Sequence, residues 1–173
     1  MRQADVIIIG QGPAGLSAAI YAARAGISTL ILGCEPKIAG DYDIDNYFGF
    51  PETIPGRELI GRGIRQASRF GAVIECDRVL AIHFYGSDGY RVKAERGEYA
   101  ARAVILATGV SRKKPPVPGH ERFEGRGVSY CVSCDGFFYR GKPVMVAGEG
   151  VYAANQALEL LEYTPDVSVC TLG

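Results

Sequence analysis

The chain has 173 residues, 47% of them hydrophobic, with 19 Lys plus Arg against 19 Asp plus Glu. That length suits one ordinary domain or two small ones, the apolar content argues against disorder, and the balanced charge gives no reason to expect nucleic acid or an anionic membrane as partner. No stretch approaches the ~20 apolar residues of a membrane span. The apolar run at 6–9 is too short for a signal-peptide core, so the expected location is cytoplasmic.

In chain order, DVIIIG (5–10) is a short β-rich run ending in glycine and reads as a buried parallel strand. Residues 13–26 have proline at the start, alanines throughout and glycine after the end, which reads as a helix packed closely on a sheet. STLIL (28–32) is the next strand and completes a right-handed βαβ unit. Residues 38–55 read as a loop rich in Gly, Asp, Tyr and Pro, and residues 57–70 as an amphipathic helix stopped by Gly71. AVIEC (72–76), RVLAIHFY (78–85) and YRVKAE (90–95) read as strands, with turns at SDG and ERGEY. AVILATG (103–109) is another buried strand running into a small-residue loop. The proline-rich run 112–121 breaks regular structure, giving an expected first domain at 1–113, a linker at 114–118 and a second domain at 119–173. That second domain holds a cysteine pair opening a helix, then a strand, glycine turn and helix over 142–163, and a strand from 167.

The first glycine turn is Gly10-Gln11-Gly12-Pro13-Ala14-Gly15. It follows a strand and opens a helix, the context a dinucleotide-binding GxGxxG needs. Gly10 makes the tight turn, Gly12 leaves room for a pyrophosphate and Gly15 lets helix and strand approach, while the helix N-terminus offers amides and a positive dipole. The acid expected at the end of the next strand comes slightly late: Gly33 holds the usual place and Glu35 follows, equally readable as a ribose ligand or an exposed loop charge. The second turn, Gly148-Glu149-Gly150-Val151-Tyr152-Ala153, has the GxGxxA form. Glu149 places an anion where phosphates would sit and Tyr152 is bulky, so a working nicotinamide site and a vestigial scaffold both stand.

Five cysteines, an odd and scattered set, do not suit a secreted disulfide framework. Cys131 and Cys134 share a helix face within disulfide reach, and a helix N-terminus would lower the first thiol's pKa. Zinc would need about two more ligands, and the nearest candidates, His120 and Cys170, are at no recognised spacing. His120 reads as a solvated loop residue, and Cys34 and Cys76 as buried small hydrophobes. Asp135 could shuttle a proton to a thiolate or simply complement the helix dipole.

Together these residues resemble the low-molecular-weight thioredoxin reductases over residues 5–169, most specifically in GQGPAG (10–15), DNYFGFP (45–51), ILATG (105–109) and GRGVSYCVSCDGFFYRGKPV (125–144). The resemblance implies an α/β flavoenzyme with two Rossmann-like dinucleotide-binding domains: a three-layer ββα FAD domain and a second βαβ domain of the NAD(P)H type. It implies a homodimer, FAD on the first glycine turn, Asn46 near the flavin, and Thr108 and Gly109 in a loop passing close to it. Cys134 would face the flavin, Cys131 would exchange with a thioredoxin-like protein, and Asp135 would be the acid. The second turn (Gly148, Gly150, Ala153) would belong to the nicotinamide-type domain. The departures there, with Asn155 in its helix and Thr171-Leu172-Gly173 where NADPH-using members carry a basic cluster, bring the chain closer to the ferredoxin-dependent flavin thioredoxin reductases. The expected donor is therefore ferredoxin or NADPH, with NADPH the doubtful one. The family's C-terminal half, with its second Gly-Asp flavin motif, is not in the 173 residues, so a C-terminal truncation is expected. Two other readings remain: a non-catalytic flavin-binding or interaction fragment, and another flavin-linked disulfide or peroxide reductase. The position of the CxxC in the second domain argues against the latter.

Overall fold

Alternation within a single strand organises the first half of the chain. In the computed structural model, which describes residues 1–40, 43–110 and 117–171, two compact units form, Met1–Val110 and Ser111–Gly173. The first contains, in order, β1 (Arg2–Ile9), α1 (Pro13–Arg24), β2 (Thr29–Leu32), β3 (Asp43–Ile44), β4 (Ile54–Pro55), α2 (Gly56–Arg69), β5 (Val73–Glu75), β6 (Val79–Phe84), β7 (Tyr90–Ala94) and β8 (Glu98–Leu106). Strands β5, β2, β1 and β8 run parallel, and β8 continues into the antiparallel β7 and β6.

Because successive strand residues point to opposite faces, Val6 and Ile8 pack with Ile31, Leu16, Ala19 and Ile60 on the helix side. Ile7 and Ile9 pack with Leu30, Leu32, Val92 and Tyr99 on the other. The three layers are thus helices, parallel sheet and antiparallel meander, the ββα arrangement of the expected FAD domain. Ile7, Ile8, Ile31 and Leu32 are 0% exposed, each burial stabilising by about 1.5–3 kcal/mol.

Strand β8 starts at Glu98, five residues earlier than the sequence suggests. Glu98–Tyr99–Ala100–Ala101 pair with β7 while Tyr99 to Leu106 pair with β1, so one strand serves both layers. The expected loop at 38–55 contains a short hairpin of β3 and β4. The expected linker falls largely on residues outside the described ones.

Under the meander, the Tyr99 hydroxyl donates to the buried Asp77 carboxylate at 2.8 Å, and Asp77 also accepts the Arg96 amide at 3.1 Å. Burial, then the hydrogen bond to Asp77 and the negative charges of Asp77 and Glu75, push the phenol up to about 12 from 10.0. The fold favours the protonated phenol, so its contribution is complete below pH 10.0 and is lost as pH rises towards 12. Wild-type unfolding free energy should therefore fall faster than that of Tyr99→Phe between pH 10.0 and about 12 and run parallel to it below, as read by denaturant titration.

The second unit holds α3 (Val132–Asp135), β9 (Val144–Ala147), α4 (Gly150–Leu160) and β10 (Val167–Cys170). β9 and β10 are parallel, pairing Val167 with Val144 through Cys170 with Ala147. Ala153 and Leu160 of α4 are buried, and the buried Thr164 hydroxyl donates to the Lys142 carbonyl at 2.8 Å. Met145, Val151, Tyr152, Leu158, Leu161 and Val169 are exposed. Among the described residues no helix is long and apolar enough to cross a membrane.

Candidate redox and nucleotide-binding sites

In the second unit Cys131 and Cys134 are joined by a disulfide, with Cα atoms 5.2 Å apart. In this state the two sulfurs are engaged with each other. Cys131 is the N-cap of α3, which is a single turn of four residues continued by a tighter turn over Gly136–Tyr139. The helix expected to open at the pair is therefore too short to carry a developed macrodipole. Local hydrogen bonds take its place.

Ser129 organises those bonds. The Cys131 amide donates to the Ser129 hydroxyl at 3.2 Å, and that hydroxyl donates to the Asp135 carboxylate. The Asp135 amide closes the turn on the Cys131 carbonyl at 3.1 Å. A continuous path of polar hydrogens thus runs from the backbone of the first cysteine to the carboxylate beside the second. Ser133 Oγ lies 3.4 Å from Cys131 Sγ. Cys134 is exposed and Cys131 half-buried, so the pair is open to a macromolecular partner. Burial raises the Tyr139 phenol above its ordinary value, with the Asp135 charge acting in the same direction and a Gly127 backbone hydrogen bond opposing it. Tyr139 therefore stays a neutral neighbour.

The turn is anchored from outside. Gln156 of α4 accepts the Val132 amide at 3.3 Å and donates to Glu159 at 3.1 Å. Gly136 is buried against Tyr163, whose Cε2 would lie 2.8 Å from any added Cβ. Gly136→Ala is expected to cost about 1–3 kcal/mol by forcing that ring away, measured as a lowered midpoint in chemical denaturation.

The first glycine turn lies in the other unit. Gly10 has φ +117°, and a side chain there would overlap the Ala107 carbonyl and approach the Thr108 nitrogen to 3.3 Å. A side chain at Gly15 would overlap the Gly10 carbonyl. Gly33 backs onto Gly10, 3.3 Å from its Cα to an added Cβ. These contacts and the chain's own continuity bring Gly10, Gly12, Pro13, Ala14, Gly15, Gly33 and the Ala107–Thr108 segment leaving β8 together at the C-terminal ends of β1, β2 and β8. Glu35 lies exposed in the loop just past β2, and Gly109 lies exposed after Thr108. Asn46 is exposed in the loop between β3 and β4, next to Asp45, which accepts the Thr53 hydroxyl at 2.7 Å.

Gly12 is the informative glycine. Its φ is −75°, which any residue adopts, and a methyl there would meet no described atom within 4 Å. The protein's own packing does not demand glycine at this position, whereas an incoming phosphate group does. Helix α1 has no side-chain cap and no acid in its first turn, and helix geometry leaves the Ala14 and Gly15 amides without intrahelical partners. The residues present therefore fit the diphosphate of a dinucleotide. The second turn differs: exposed Glu149 is the N-cap of α4, a side chain at Gly148 would approach the Ala153 Cβ to 3.2 Å, and Tyr152 is exposed.

Two features are not anticipated by the motif. Gln11 is buried, and its side-chain amide donates to the Gly33 carbonyl and, at 3.0 Å, to the Glu75 carbonyl, pinning the turn to the ends of β2 and β5. Cys34 and Cys76 are neither buried nor free: both are exposed and bonded to each other, with Cα atoms 4.3 Å apart. The cause is the parallel register Leu30–Val73, Ile31–Ile74, Leu32–Glu75, which puts the two residues beyond neighbouring strand ends. His120 likewise differs from expectation: it is half-buried in a short turn, its Nδ1 2.7 Å from the Val117 carbonyl.

Residues 4–172 match the family model described as pyridine nucleotide-disulphide oxidoreductase. The chain belongs to that family. As a pyridine nucleotide-disulphide oxidoreductase it is 42% identical over 168 residues to the thioredoxin reductase of Bacillus subtilis (strain 168), covering 95% of this chain and 52% of that protein. Among solved structures it is similar to the atypical thioredoxin reductase TRi from Desulfovibrio vulgaris Hildenborough, with 66% identity, TM-score 0.60, and coverage of 98% of this chain and 57% of that one. The thioredoxin reductase from Streptococcus pyogenes MGAS5005 aligns with TM-score 0.89 at 37% identity, covering 96% of this chain and 55% of that one. The chain thus spans about half the length of the curated relatives it matches.

Proposed function

We propose that the chain carries the flavin turn and the redox pair of a dithiol–disulfide oxidoreductase that reduces the disulfide of a thioredoxin-like protein. The observation that carries this reading is the Cys131–Cys134 bond on a single turn, exposed on its Cys134 side, with Asp135 held beside it through Ser129. Gly10, Gly12, Pro13, Ala14 and Gly15 would hold the FAD diphosphate, with Glu35 at the ribose end. FAD, when bound, supplies a two-electron store between donor and dithiol. Once reduced, Cys131 attacks the partner disulfide as thiolate and forms a mixed disulfide, releasing one partner thiol. Cys134 then attacks Cys131 Sγ, releases the second partner thiol and restores the Cys131–Cys134 bond. Asp135 holds and hands over the proton that Cys134 loses. The enzyme is proposed to act as a cytoplasmic homodimer.

The test is a trap. Pre-reduced Cys134→Ser protein mixed with oxidised thioredoxin should accumulate a mixed disulfide through Cys131, mapped by peptide mass spectrometry. A mixed disulfide absent from Cys131 would overturn the assignment.

For the donor we infer an iron–sulfur protein of the ferredoxin class rather than NADPH. The support is Glu149 at the N-cap of α4, where a nucleotide phosphate would meet a like charge. Reduced ferredoxin is expected to bleach the flavin of the loaded protein anaerobically, and NADPH at equal reducing equivalents is expected not to. Rapid bleaching by NADPH would reverse this.

A further inference from the structure

The Cys34–Cys76 bond has no part in the exchange chemistry of Cys131 and Cys134. It nevertheless sits where three elements of the nucleotide turn converge. Gly33, one residue before Cys34, donates its amide to the Glu75 carbonyl at 3.1 Å, one residue before Cys76. Gln11, inside the glycine turn, binds the carbonyls of both Gly33 and Glu75. Glu35, the proposed ribose ligand, follows Cys34 directly. The disulfide is the outermost and the only covalent of these ties, and both of its cysteines are exposed. A cavity of about 630 Å³ opens beside it, lined by Cys76 together with Arg2, Glu75, Asp77, Arg96 and Tyr99. An attacking group can therefore approach the Cys76 side.

We propose that Cys34–Cys76 is a second thiol–disulfide exchange site, open to dithiols, and that opening it releases the loop after β2 that carries Glu35. Exposed disulfides are, as a class, the more readily reduced ones. The direction of attack follows from access: the cavity is lined by Cys76 and not by Cys34, so the incoming sulfur meets Cys76 and Cys34 is the leaving group. A dithiol thiolate attacks Cys76 Sγ, the Cys34–Cys76 bond breaks, and Cys34 leaves as thiolate and takes a proton. The second sulfur of the dithiol attacks the first, forming its own disulfide and releasing Cys76, which is protonated in turn. The protein bond has gained two electrons and two protons, and the dithiol has lost them. Under the function proposed above, the dithiol at hand is the reduced thioredoxin-like product, and the inference rests on that reading for its physiological reductant. The product would then loosen the proposed ribose side of the turn that helps to make it.

The test uses the Cys131→Ser/Cys134→Ser chain with Cys170 blocked beforehand, so that only this bond can react. It is incubated with reduced thioredoxin or with dithiothreitol, alkylated and weighed, and the Gly33 amide is followed by hydrogen exchange. Expected are two new alkyl groups, on Cys34 and Cys76, and an increase in Gly33 exchange of about tenfold, as for a local opening. A thioredoxin lacking its second cysteine should be trapped on Cys76. Opening by both reagents assigns a protein dithiol, and opening by dithiothreitol alone assigns a small one. The proposal is overturned if the bond stays closed under conditions that open Cys131–Cys134 in the unsubstituted chain, or if Gly33 exchange is unchanged when it opens. Failure of reduced thioredoxin to react with Cys131–Cys134 in the unsubstituted chain would instead count against the functional reading, and the dithiothreitol arm would still decide the second site.

Discussion

Cys131→Ser is expected to lower the rate of disulfide reduction by at least about a thousandfold, because it removes the sulfur that forms the mixed disulfide. The effect should be chemical rather than structural. The Cys131–Cys134 bond closes a loop with a sequence separation of only 3, and the chain-entropy model then assigns it about 2 kcal/mol of stabilisation. Ser129, Gln156 and Tyr163 hold the turn independently of the sulfurs. Circular dichroism of the variant should match that of the unsubstituted protein while turnover vanishes. Unchanged turnover would remove the pair from the mechanism.

Gly10→Ala should be the most damaging single change in the first unit, and Gly12→Ala, two residues away, should spare the fold. At Gly10 a side chain would take an unfavourable φ of +117° and overlap the Ala107 carbonyl, which belongs to the segment leaving β8. The backbone strain alone costs about 1–3 kcal/mol, and the overlap adds to it, a large share of the about 5–15 kcal/mol that stabilises a typical domain. At Gly12 the backbone is ordinary and the space beside it open, so stability should change by no more than about 0.5 kcal/mol. Flavin affinity, however, should fall at least about tenfold, since the added methyl occupies the approach of the phosphates. Thermal melts and flavin-fluorescence titrations separate the two effects. Loss of stability at Gly12, or retention of it at Gly10, would contradict this division.

Much of this was legible locally. The strand–turn–helix–strand at the N-terminus follows from a short apolar run, four glycines and a proline, all within residues 5–32, and β9, α4 and β10 repeat that pattern. What the sequence did not disclose depends on register between distant strands. The early start of β8 follows from Tyr99 pairing with Arg2 and Val92 at once. The Cys34–Cys76 bond needs β2 and β5 to be neighbours, and 42 residues separate the cysteines. Had the parallel pairing of TLIL with VIE been drawn from the βαβ pattern, the two cysteines would have fallen side by side. Ser129 and Gln156 were invisible for a similar reason: a serine two residues before a cysteine and a glutamine on a helix carry no signal until the turn closes on them. That Cys131 and Cys134 come within bonding distance, by contrast, was legible in the CxxC spacing.

The most direct measurement is an anaerobic reductive titration of the flavin-loaded protein beside its Cys134→Ser variant. If Cys131 and Cys134 receive the electrons, the unsubstituted protein takes up two more electrons per flavin than the variant, the requirement of one disulfide. Equal uptake by the two proteins would show that electrons do not reach the pair and would contradict the account.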